Sequence, residues 1–447
     1  MLGGVDHKKS IDMPQIISLA LLAICANAAA EPVVLLADRI IVGNSKSALK
    51  NSAIVVDGKK IVSVGSRDHI PDNTRVIDFG DATLMPGMID AHAHPFLTSG
   101  DYQANHLQQS SAYKSLRAAL FLQQLLLQGW TGCRVTGDGD VFYGPVDLKR
   151  TIDEGSMIGP HMAVAGHYIS ITGGGGDVNY MSPEQTMIAD GLVVDGVDEI
   201  VKAVRQEIKY GSDWIKVLAT GAYLSVGDSP TNVSFSPAEF DALMDEANRQ
   251  DVPVMAHAHA NAGIKQAVLG GARSIEHGTF LDDEAIAMMV ERGTWLVPTM
   301  YIGDYYAIEG TLREDERNAY YMEHERPEWL TWLTKAHKKG VKIGVGVDFG
   351  GQGYDETIFV REIALLTEIG MSNMEAIQAA TRVNAELLQW DDKLGTLEAG
   401  KLADIIAVPG NPLADITLLE TVSFVMLDGR IIKGADEPAP LPGMLIQ

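Results

Sequence analysis

The sequence predicts an α/β protein built as a (β/α)8 TIM barrel, with a small β-sandwich domain formed from both chain ends. Three observations support this fold class. Eight short apolar runs alternate with helix-length segments, a pattern typical of parallel strands joined by crossover helices. β-Branched runs without helical periodicity precede and follow that alternating part. The chain of 447 residues is long enough for one large domain and one smaller domain.

The elements follow from these runs in chain order. The eight candidate barrel strands are residues 83–90, 132–136, 161–165, 214–218, 253–256, 274–276, 295–298 and 342–347. The helical segments between them include residues 111–128, 197–210, 237–250, 262–269 and 283–292. The flanking β-rich runs are residues 33–41, 53–56, 60–64 and 75–78 before the barrel, and 403–408, 422–427 and 428–432 after it. We therefore predict a signal peptide at 1–30, a composite β-sandwich domain from 31–85 with 390–440, and a barrel at 86–389.

The N-terminal residues predict a secretory signal peptide. Basic residues at 7–9 precede an apolar run at 16–25, and three alanines at 28–30 offer a small-residue cleavage site. The apolar run is short for a transmembrane span. A buried N-terminal helix and a start at Met13, which would remove the lysines, remain alternatives. We expect a secreted or periplasmic protein that is cleaved near Ala30.

Composition limits the classes of partner. The chain has 35 Lys and Arg residues against 59 Asp and Glu, a formal net charge of -24. This charge argues against nucleic acid and against an anionic membrane surface as partners. Cleavage of the signal would leave Cys133 without Cys25, so no internal disulfide could form. Stability after export would then depend on packing and on bound metal.

A histidine pair ends the first candidate strand, in the sequence Asp90-Ala-His92-Ala-His94. Residues i and i+2 of a strand point to the same side, so the two imidazoles project together. Two such imidazoles can bind one metal ion. On its own, the pair is equally compatible with two ordinary polar residues at a strand end.

Four further candidate ligands lie at or near the ends of other strands. They are Lys216 on the fourth strand, His257 on the fifth, His277 on the sixth and Asp348 on the eighth. A buried lysine is costly as an ammonium ion, so Lys216 either pairs with an acid or is chemically modified. Carbamylation by carbon dioxide would turn it into an anionic oxygen ligand that can bridge two metals. The carboxyl ends of barrel strands meet at one face, so the six residues together predict a metal centre.

With these residues in place, the sequence resembles the amidohydrolase superfamily. The resemblance is to the group with imidazolonepropionases and Xaa-Pro or Xaa-Arg/Lys dipeptidases, and also to ochratoxin-hydrolysing amidohydrolases. It covers nearly the whole mature chain, from Pro-Gly-Met-Ile-Asp at 86–90 to Gly-Thr-Leu-Glu-Ala-Gly-Lys-Leu-Ala-Asp at 395–404. It implies two divalent metal ions, expected to be Zn2+, and N-carboxylation of the lysine. The implied metal ligands are His92, His94, Lys216, His257, His277 and Asp348.

The resemblance also implies a reaction. A metal-bridging hydroxide would attack an amide carbonyl, with Asp348 as general acid and base. We expect a dipeptidase or carboxypeptidase that releases a C-terminal amino acid from a small-molecule amide, with N-acyl amino acids such as ochratoxin as further candidate substrates. A cyclic-amide hydrolase of the imidazolonepropionase type, a lactonase or phosphotriesterase, and a non-catalytic metal-binding protein are the alternatives. Relatives in this group form homo-oligomers, and we expect one here.

Three residues near the predicted centre are candidates for substrate binding: His167, Tyr223 and His259. Tyr223 resembles a tyrosine that contacts the substrate carboxylate in related dipeptidases. Packing roles would explain each of the three equally well. Arg134 and Asp138, at the end of the second strand, are assigned structural roles.

Residues 301–335 are long, polar and aromatic, and they carry no strand signal. A lid over the barrel mouth and a solvated helical insertion are both compatible with this segment. The glycine-rich residues 172–177 lack the Gly-Lys-Ser/Thr that ends a phosphate-binding loop, and we expect a loop at the barrel mouth instead.

Overall fold

The computed structural model describes residues 32–70, 74–98, 102–223, 225, 227–309, 321–350 and 358–434. The strands are β1 (Val33–Ile40), β2 (Leu49–Asp57), β3 (Lys60–Ser66), β4 (Arg75–Asp78), β5 (Ala82–Pro86), β6 (Met88–Ala93), β7 (Trp130–Thr136), β8 (His161–Ala165), β9 (Tyr168–Ser170), β10 (Leu192–Val193), β11 (Ile215–Leu218), β12 (Val254–Ala258), β13 (Ser274–His277), β14 (Trp295–Val297), β15 (Ile405–Pro409), β16 (Phe424–Leu427) and β17 (Arg430–Lys433).

The α-helices are α1 (Tyr102–Gln108), α2 (Ser111–Leu127), α3 (Gly144–Asp153), α4 (Val197–Tyr210), α5 (Pro237–Arg249), α6 (Asn261–Gly270), α7 (Asp283–Arg292), α8 (Met300–Glu309), α9 (Arg326–Lys339), α10 (Ile358–Leu365), α11 (Asn373–Gln378) and α12 (Asn384–Leu387). Short 3-10 turns occur at Arg67–His69 and Ile416–Thr421, and π-helical turns at Tyr321–Glu325 and Ala379–Val383. Across these described ranges, none of the helices has the length and apolar character needed to cross a bilayer.

Both chain ends contribute to one mixed sheet of eight strands. Its order is β17-β16-β15-β5-β1-β2-β3, and β4 pairs with β1. The antiparallel pairing of β15 with β5 joins the C-terminal strands to the N-terminal ones. Apolar side chains on one face, such as Leu35, Ile54 and Phe424, are fully buried in a common core. A sandwich of two packed sheets remains a prediction.

The prediction of one continuous first barrel strand at residues 83–90 is wrong. The chain divides there into β5, in the mixed sheet, and β6, which pairs with β7. Pro86 has no amide hydrogen to continue a ladder, and the Gly87 amide donates to the Asp404 carbonyl at 3.0 Å. A Cβ on Gly87 would lie 2.1 Å from Thr131 Oγ1, so the crossing between sheets requires glycine.

Parallel strands form the larger part of the molecule in two groups, β6-β7-β8 and β10-β9-β11-β12-β13-β14. Backbone hydrogen bonds connect the groups on both sides. The amides of Asp213 and Trp214 donate to the Val164 carbonyl, and the Ala91 amide donates to the Val345 carbonyl at 2.9 Å. The eighth predicted strand, residues 342–347, is a looser element whose bridge between Ile343 and Leu296 attaches it to β14.

The helices between the strands agree with the predicted segments to within one residue at each end. Their ends show why the sequence patterns were informative. Ser236 begins α5 with a capping box to Glu239, and Gly211 ends α4 in the left-handed conformation at φ 101°. The faces of α4 and α5 that point inward are buried against the parallel strands.

The segment 301–335 is helical in its described part, and residues 310–320 lie outside the described residues. Helix α8 packs on the end of the eighth predicted strand, because the rings of Tyr301 and Tyr305 lie 5.8 and 5.1 Å from the ring of Phe349. The absence of a strand is thus confirmed for these residues, while the choice between lid and insertion stays open.

Candidate active site

One group of candidate ligands consists of His92, His94 and Asp348. Both histidines project from the same side of β6, and each Nε2 lies 3.2 Å from Asp348 Oδ1. The Asp348 amide donates to the His92 carbonyl at 2.7 Å, which attaches the end of the eighth predicted strand to β6. Gly346 permits this close approach, since a Cβ there would lie 2.6 Å from the Cβ of His92.

A second group of candidate ligands consists of His257, His259 and His277. His277 Nε2 lies 2.8 Å from His257 Nδ1, and the rings of His259 and His277 stack at 4.7 Å. The two groups adjoin, because His277 Nδ1 is 3.9 Å from Asp348 Oδ2 and its ring lies 5.3 Å from that of His92.

Lys216 is buried at 2% exposure in β11, and its strand neighbour Leu218 is in register with His257. Its charge interacts with those of Glu276 and Asp348. Within the described ranges, no salt bridge forms to its ammonium group. Burial lowers the pKa of Lys216 to about 8, so the neutral amine is more accessible near neutral pH than in an ordinary lysine. The structure therefore brings the predicted lysine close to Asp348 and His257 among the parallel strands.

Three neighbouring strand ends have left-handed backbone conformations at residues other than glycine. His277, Thr299 and Asp348 have φ angles of 72°, 52° and 60°. Such conformations cost free energy and concentrate at functional sites, where the surrounding structure maintains them. Here they turn the chain sharply at the carboxyl ends of the strands. Thr299 Oγ1 also lies 2.7 Å from His277 Nδ1, so the turns fix the orientation of that ring.

The electrostatics of the second group suit metal binding, and the carboxylate of the first group is ionised. Burial lowers the pKa of His257 and of His277 well below the usual value, and that of His259 to about 3, so these imidazoles are neutral. Burial raises the pKa of Asp348, but the neighbouring His92 and His94 lower it well below its usual range. Ligands of a tetrahedral zinc ion lie about 3.4 Å apart. The separations of 2.8 and 3.2 Å between donor atoms are close to that value.

Glu276 was not identified as a site residue from the sequence, and Arg134 was assigned only a structural role. Glu276 Oε2 lies 2.8 Å from His92 Nδ1, and Arg134 donates to Glu276 Oε1 at 2.8 Å. Burial raises the pKa of Glu276, but Arg134 and His92 lower it to about 2. The ionised carboxylate fixes Nδ1 of His92 as a donor and leaves Nε2 free to bind metal. The available signal was a pair of opposite charges inside two buried strands.

Asp138 has the structural role that was assigned to it, and it also borders the site. Its Oδ2 accepts the Phe96 amide at 2.8 Å, and its Oδ1 accepts the Gly139 amide at 3.2 Å. Oδ1 is also 3.8 Å from His94 Nδ1, a buried nitrogen that makes no hydrogen bond among the described residues. Asp138 thus fixes the loop after β7 and lies beside a predicted ligand.

Two of the three predicted substrate-binding residues adjoin the ligand groups. His259 lies among the candidate ligands themselves, and its Nδ1 is 2.7 Å from Thr279 Oγ1. The Tyr223 ring meets the His259 ring edge-on at 4.8 Å. The Tyr223 hydroxyl donates to Glu325 Oε2 at 3.1 Å, so the segment after α8 reaches the site through this contact.

The structure does not place His167 beside the others. Residues 166 and 167 form a break between β8 and β9, and the His167 side chain turns toward α4. Its Nδ1 lies 2.9 Å from Glu207 Oε1, and its ring meets the Tyr143 ring at 4.7 Å. The described partners of this buried imidazole therefore lie on α4 and directly before α3, and not among the ligands.

Comparisons with known proteins agree with this geometry. The profile of the amidohydrolase family matches residues 83–432. Ochratoxinase from Aspergillus niger is 31% identical over 445 aligned residues, which cover 92% of this chain and 89% of that protein. A solved Xaa-Pro dipeptidase with methionine bound in its active site is 34% identical, with a TM-score of 0.83, and covers 90% of this chain and 100% of its own. Imidazolonepropionase from Pseudomonas putida is 25% identical over 407 residues, covering 81% of this chain and 88% of the enzyme.

These matches confirm the family resemblance found in the sequence, and the structural neighbours imply a TIM-barrel-type α/β fold. Members of the family generally use metal ions, and the two groups of histidines with Asp348 fit metal binding. The chain belongs to the amidohydrolase family and is a hydrolase that acts on amide bonds.

Proposed function

We propose that this protein is a binuclear metal-dependent amidohydrolase that releases a C-terminal amino acid, as a dipeptidase or carboxypeptidase does. The observation that carries the proposal is the meeting of five buried histidines and the partly exposed Asp348 at the carboxyl ends of the parallel strands. Two relatives favour this bond type, since one is an ochratoxinase and another is an Xaa-Pro dipeptidase that holds methionine in its active site.

The proposed ligands divide between two divalent ions, for which zinc suits the mixture of imidazole and carboxylate donors. His92, His94 and Asp348 would hold one ion, His257 and His277 the other, and N-carboxylated Lys216 would be shared by both. Two bound ions would supply an activated water near neutral pH and polarise the carbonyl of the scissile amide.

The acid and base role falls to Asp348. Its side chain is 19% exposed, whereas that of His92 is 1% exposed, so Asp348 is the more accessible to water and substrate. In this position its carboxylate can accept a proton from the attacking water and return it to the leaving amine. The hydrogen bond from its amide to the His92 carbonyl keeps the carboxylate in place during both transfers.

Tyr223 and His259 are the proposed contacts to substrate. The Tyr223 hydroxyl is a donor beside the ligand groups, and a free carboxylate on the departing amino acid would be its natural acceptor. Its present acceptor, Glu325, would then be displaced by the substrate. The substrate contact of His167 stays a prediction, because Glu207 binds only its Nδ1.

A cyclic-amide hydrolase of the imidazolonepropionase type is the second candidate function. The similarity to the Pseudomonas putida enzyme favours it, although at 25% that identity is lower than those of the ochratoxinase and the dipeptidase. The two functions share the metal centre and differ in the leaving group, which in a cyclic amide stays attached to the product.

We further propose that the protein is exported after cleavage near Ala30, assembles as a homo-oligomer and acts without nucleic acid or membrane partners. The predicted signal peptide lies outside the described residues. The support for these three points is the sequence itself, through its N-terminal pattern, its family and its charge of -24.

The decisive experiment is a hydrolysis screen with zinc-loaded full-length protein. The panel contains Xaa-Pro dipeptides, methionine-containing dipeptides, N-acyl amino acids including ochratoxin, and imidazolone propionate. We expect release of a free amino acid that stops on chelation and returns when zinc is restored. Turnover confined to imidazolone propionate would favour the second function, and zinc-loaded protein that cleaves none of the panel would contradict both.

A further inference from the structure

A third cluster of metal-ligand side chains lies at the opposite end of the parallel strands. It consists of His161, Asp404 and Asp428. His161 is the first residue of β8, Asp404 directly precedes β15, and Asp428 lies in the turn between β16 and β17. The cluster therefore joins the start of β8 to two parts of the eight-stranded mixed sheet that both chain ends form, which we call the chain-end sheet.

The facing atoms of this cluster lack hydrogen bonds. His161 Nε2, Asp404 Oδ2 and Asp428 Oδ1 are each buried without a hydrogen-bond partner among the described residues. Asp404 is only 5% exposed, and its other oxygen, Oδ1, already accepts the Asp428 amide at 2.8 Å. His161 Nε2 lies within ion-pair distance of both carboxylate oxygens, but none of the three facing atoms has the aligned hydrogen bond that buried polar atoms normally make.

The spacing of these atoms matches the ligands of one small cation. His161 Nε2 lies 3.0 Å from Asp404 Oδ2 and 3.6 Å from Asp428 Oδ1, and all three atoms lie within 4.8 Å of one another. Ligand atoms of a tetrahedral zinc ion lie about 3.4 Å apart. The side chains of His161 and Asp428 are 26% and 23% exposed, which leaves room for water as a fourth ligand.

The charge of the cluster also favours a divalent ion. Two carboxylates face a single imidazole, and the Lys59 ammonium group, at 2.9 Å from Asp428 Oδ2, offsets one negative charge from the solvent side. An imidazole in the donor set favours zinc over calcium, since calcium takes six to eight oxygen ligands. Asp428 has φ 50°, a left-handed conformation that directs its carboxylate from the turn.

We propose that His161, Asp404 and Asp428 form a structural binding site for one zinc-like divalent cation, separate from the catalytic centre. The ion links His161, the first residue of β8, to Asp404, directly before β15, and to Asp428, directly after β16. Its effect is on the stability of the junction between the barrel strands and the chain-end sheet. It takes no part in amide hydrolysis, because the cluster lies at the amino end of β8 and the catalytic groups lie at the carboxyl ends of the strands.

The test measures zinc per chain in full-length protein that has been saturated with zinc and then passed into metal-free buffer. His161→Gln removes the nitrogen ligand, and Asp428→Asn removes a carboxylate ligand with a residue that tolerates the left-handed backbone. His337→Gln, in the last turn of α9 outside all three clusters, is the matched control. We expect both cluster variants to lose one zinc per chain, and the control to bind as much zinc as the unchanged protein.

Thermal unfolding provides a second measurement. Zinc removal should lower the Tm of the unchanged protein and of His337→Gln by more than it lowers the Tm of either cluster variant. All three variants should retain amide hydrolysis when they are loaded with zinc. Equal zinc content in the unchanged protein and in both cluster variants would overturn the site and leave a histidine paired with two carboxylates. Zinc content is measured without turnover, so this result is independent of whether the proposed reaction is found.

Discussion

The candidate active site has two halves that differ in charge, although both contain buried histidines. The carboxylate half is His92, His94 and Asp348, and the histidine half is His257, His259 and His277. In the carboxylate half, Asp348 lies 3.2 Å from both histidines, and Glu276 lies 2.8 Å from the far nitrogen of His92. A divalent ion in this half would meet negative charge that is already in place.

The rings of the histidine half make hydrogen bonds only to uncharged groups among the described residues, and the Asp348 carboxylate lies farther off, 3.9 Å from His277 Nδ1. The Gly221 carbonyl lies 3.3 Å from His257 Nε2, and the hydroxyls of Thr279 and Thr299 lie 2.7 Å from Nδ1 of His259 and His277. Burial is the main cause that lowers the pKa of His257 and of His259, and the positive form of Lys216 lowers both further. As an ammonium ion, Lys216 would repel a metal ion from this half.

The comparison gives a physical reason for the proposed modification of Lys216. Carboxylation changes the group from a cation to an anion, which would give the histidine half the negative charge that the carboxylate half already has from Asp348. The two halves therefore differ in how they acquire their charge. The carboxylate half receives it from encoded side chains, and the histidine half would receive it from carbon dioxide.

The largest expected effect is that of Asp348→Asn, which acts on the carboxylate half. Loss of the group that accepts and returns the proton should lower kcat by roughly 10³-fold or more. The amide side chain keeps an oxygen for metal, so we expect the zinc content of the catalytic centre to be retained. Metal analysis and steady-state kinetics on one preparation would check both points, and a near-normal rate would end the proposed role of Asp348.

Lys216→Met should have the next largest effect, and it acts mainly on the histidine half, which has no carboxylate of its own. Without an anion, this half should lose its ion while the carboxylate half keeps its own, and kcat should fall by roughly 10²- to 10³-fold. Lys265→Met, at a lysine that pairs on the surface with Asp282 and Glu284, is the control and should leave zinc content and rate unchanged.

The same comparison predicts a dependence on carbon dioxide. Apoprotein reconstituted with zinc in bicarbonate-depleted buffer should regain activity more slowly than apoprotein reconstituted with bicarbonate present. Equal rates of recovery, together with normal zinc content in Lys216→Met, would show that the histidine half binds its ion without a modified lysine.

A smaller effect is expected from Glu276→Gln, which removes the charge behind His92. Outer contacts of this kind alter metal affinity by roughly 10- to 100-fold. The variant also leaves Arg134 buried without its ion-pair partner, a change that costs about 3–5 kcal/mol in the free energy of unfolding. Competition with a chelator measures the first effect and chemical denaturation the second.

The matched control for this prediction is Glu362→Gln. Glu362 is also fully buried, but its carboxylate accepts the amides of Met300 and Tyr301 and touches no candidate ligand. Burial raises its pKa to about 8, so a neutral glutamine resembles the protonated side chain present at pH 7. Zinc affinity should be unchanged in this variant. A similar loss of zinc affinity in both variants would mean that the effect of Glu276→Gln is a general one of core disruption.

The sequence predicted the meeting of His92, His94, His257, His277 and Asp348 because each lies at the end of an apolar strand. Parallel strands in a barrel bring such ends together, so strand order alone was sufficient. The Arg134–Glu276 pair could not be found in the same way. Its members are 142 positions apart and meet inside the barrel, where contact depends on the depth of each residue in its strand.

His167 shows the opposite difficulty. Its position just past the predicted third strand suggested the barrel mouth, yet the chain continues as β9, and Tyr168 is in register with Lys216. Alternation along the strand then turns His167 away from Lys216 and toward Glu207. A break of two residues in a strand changes which face a side chain occupies, and neither composition nor periodicity predicts such a break.

The smallest expected effect is that of Tyr223→Phe, which tests whether the histidine half also receives the substrate. The ring contact with His259 would remain, and only the hydroxyl would be lost. A hydrogen bond to a charged group contributes about 1.5 kcal/mol or more, so KM for a substrate with a free carboxylate should rise roughly 10-fold with little change in kcat. For the same substrate with that carboxylate amidated, the variant and the unchanged protein should have equal KM. An equal rise in KM for both substrates would mean that Tyr223 supports the site through Glu325 and does not bind the carboxylate.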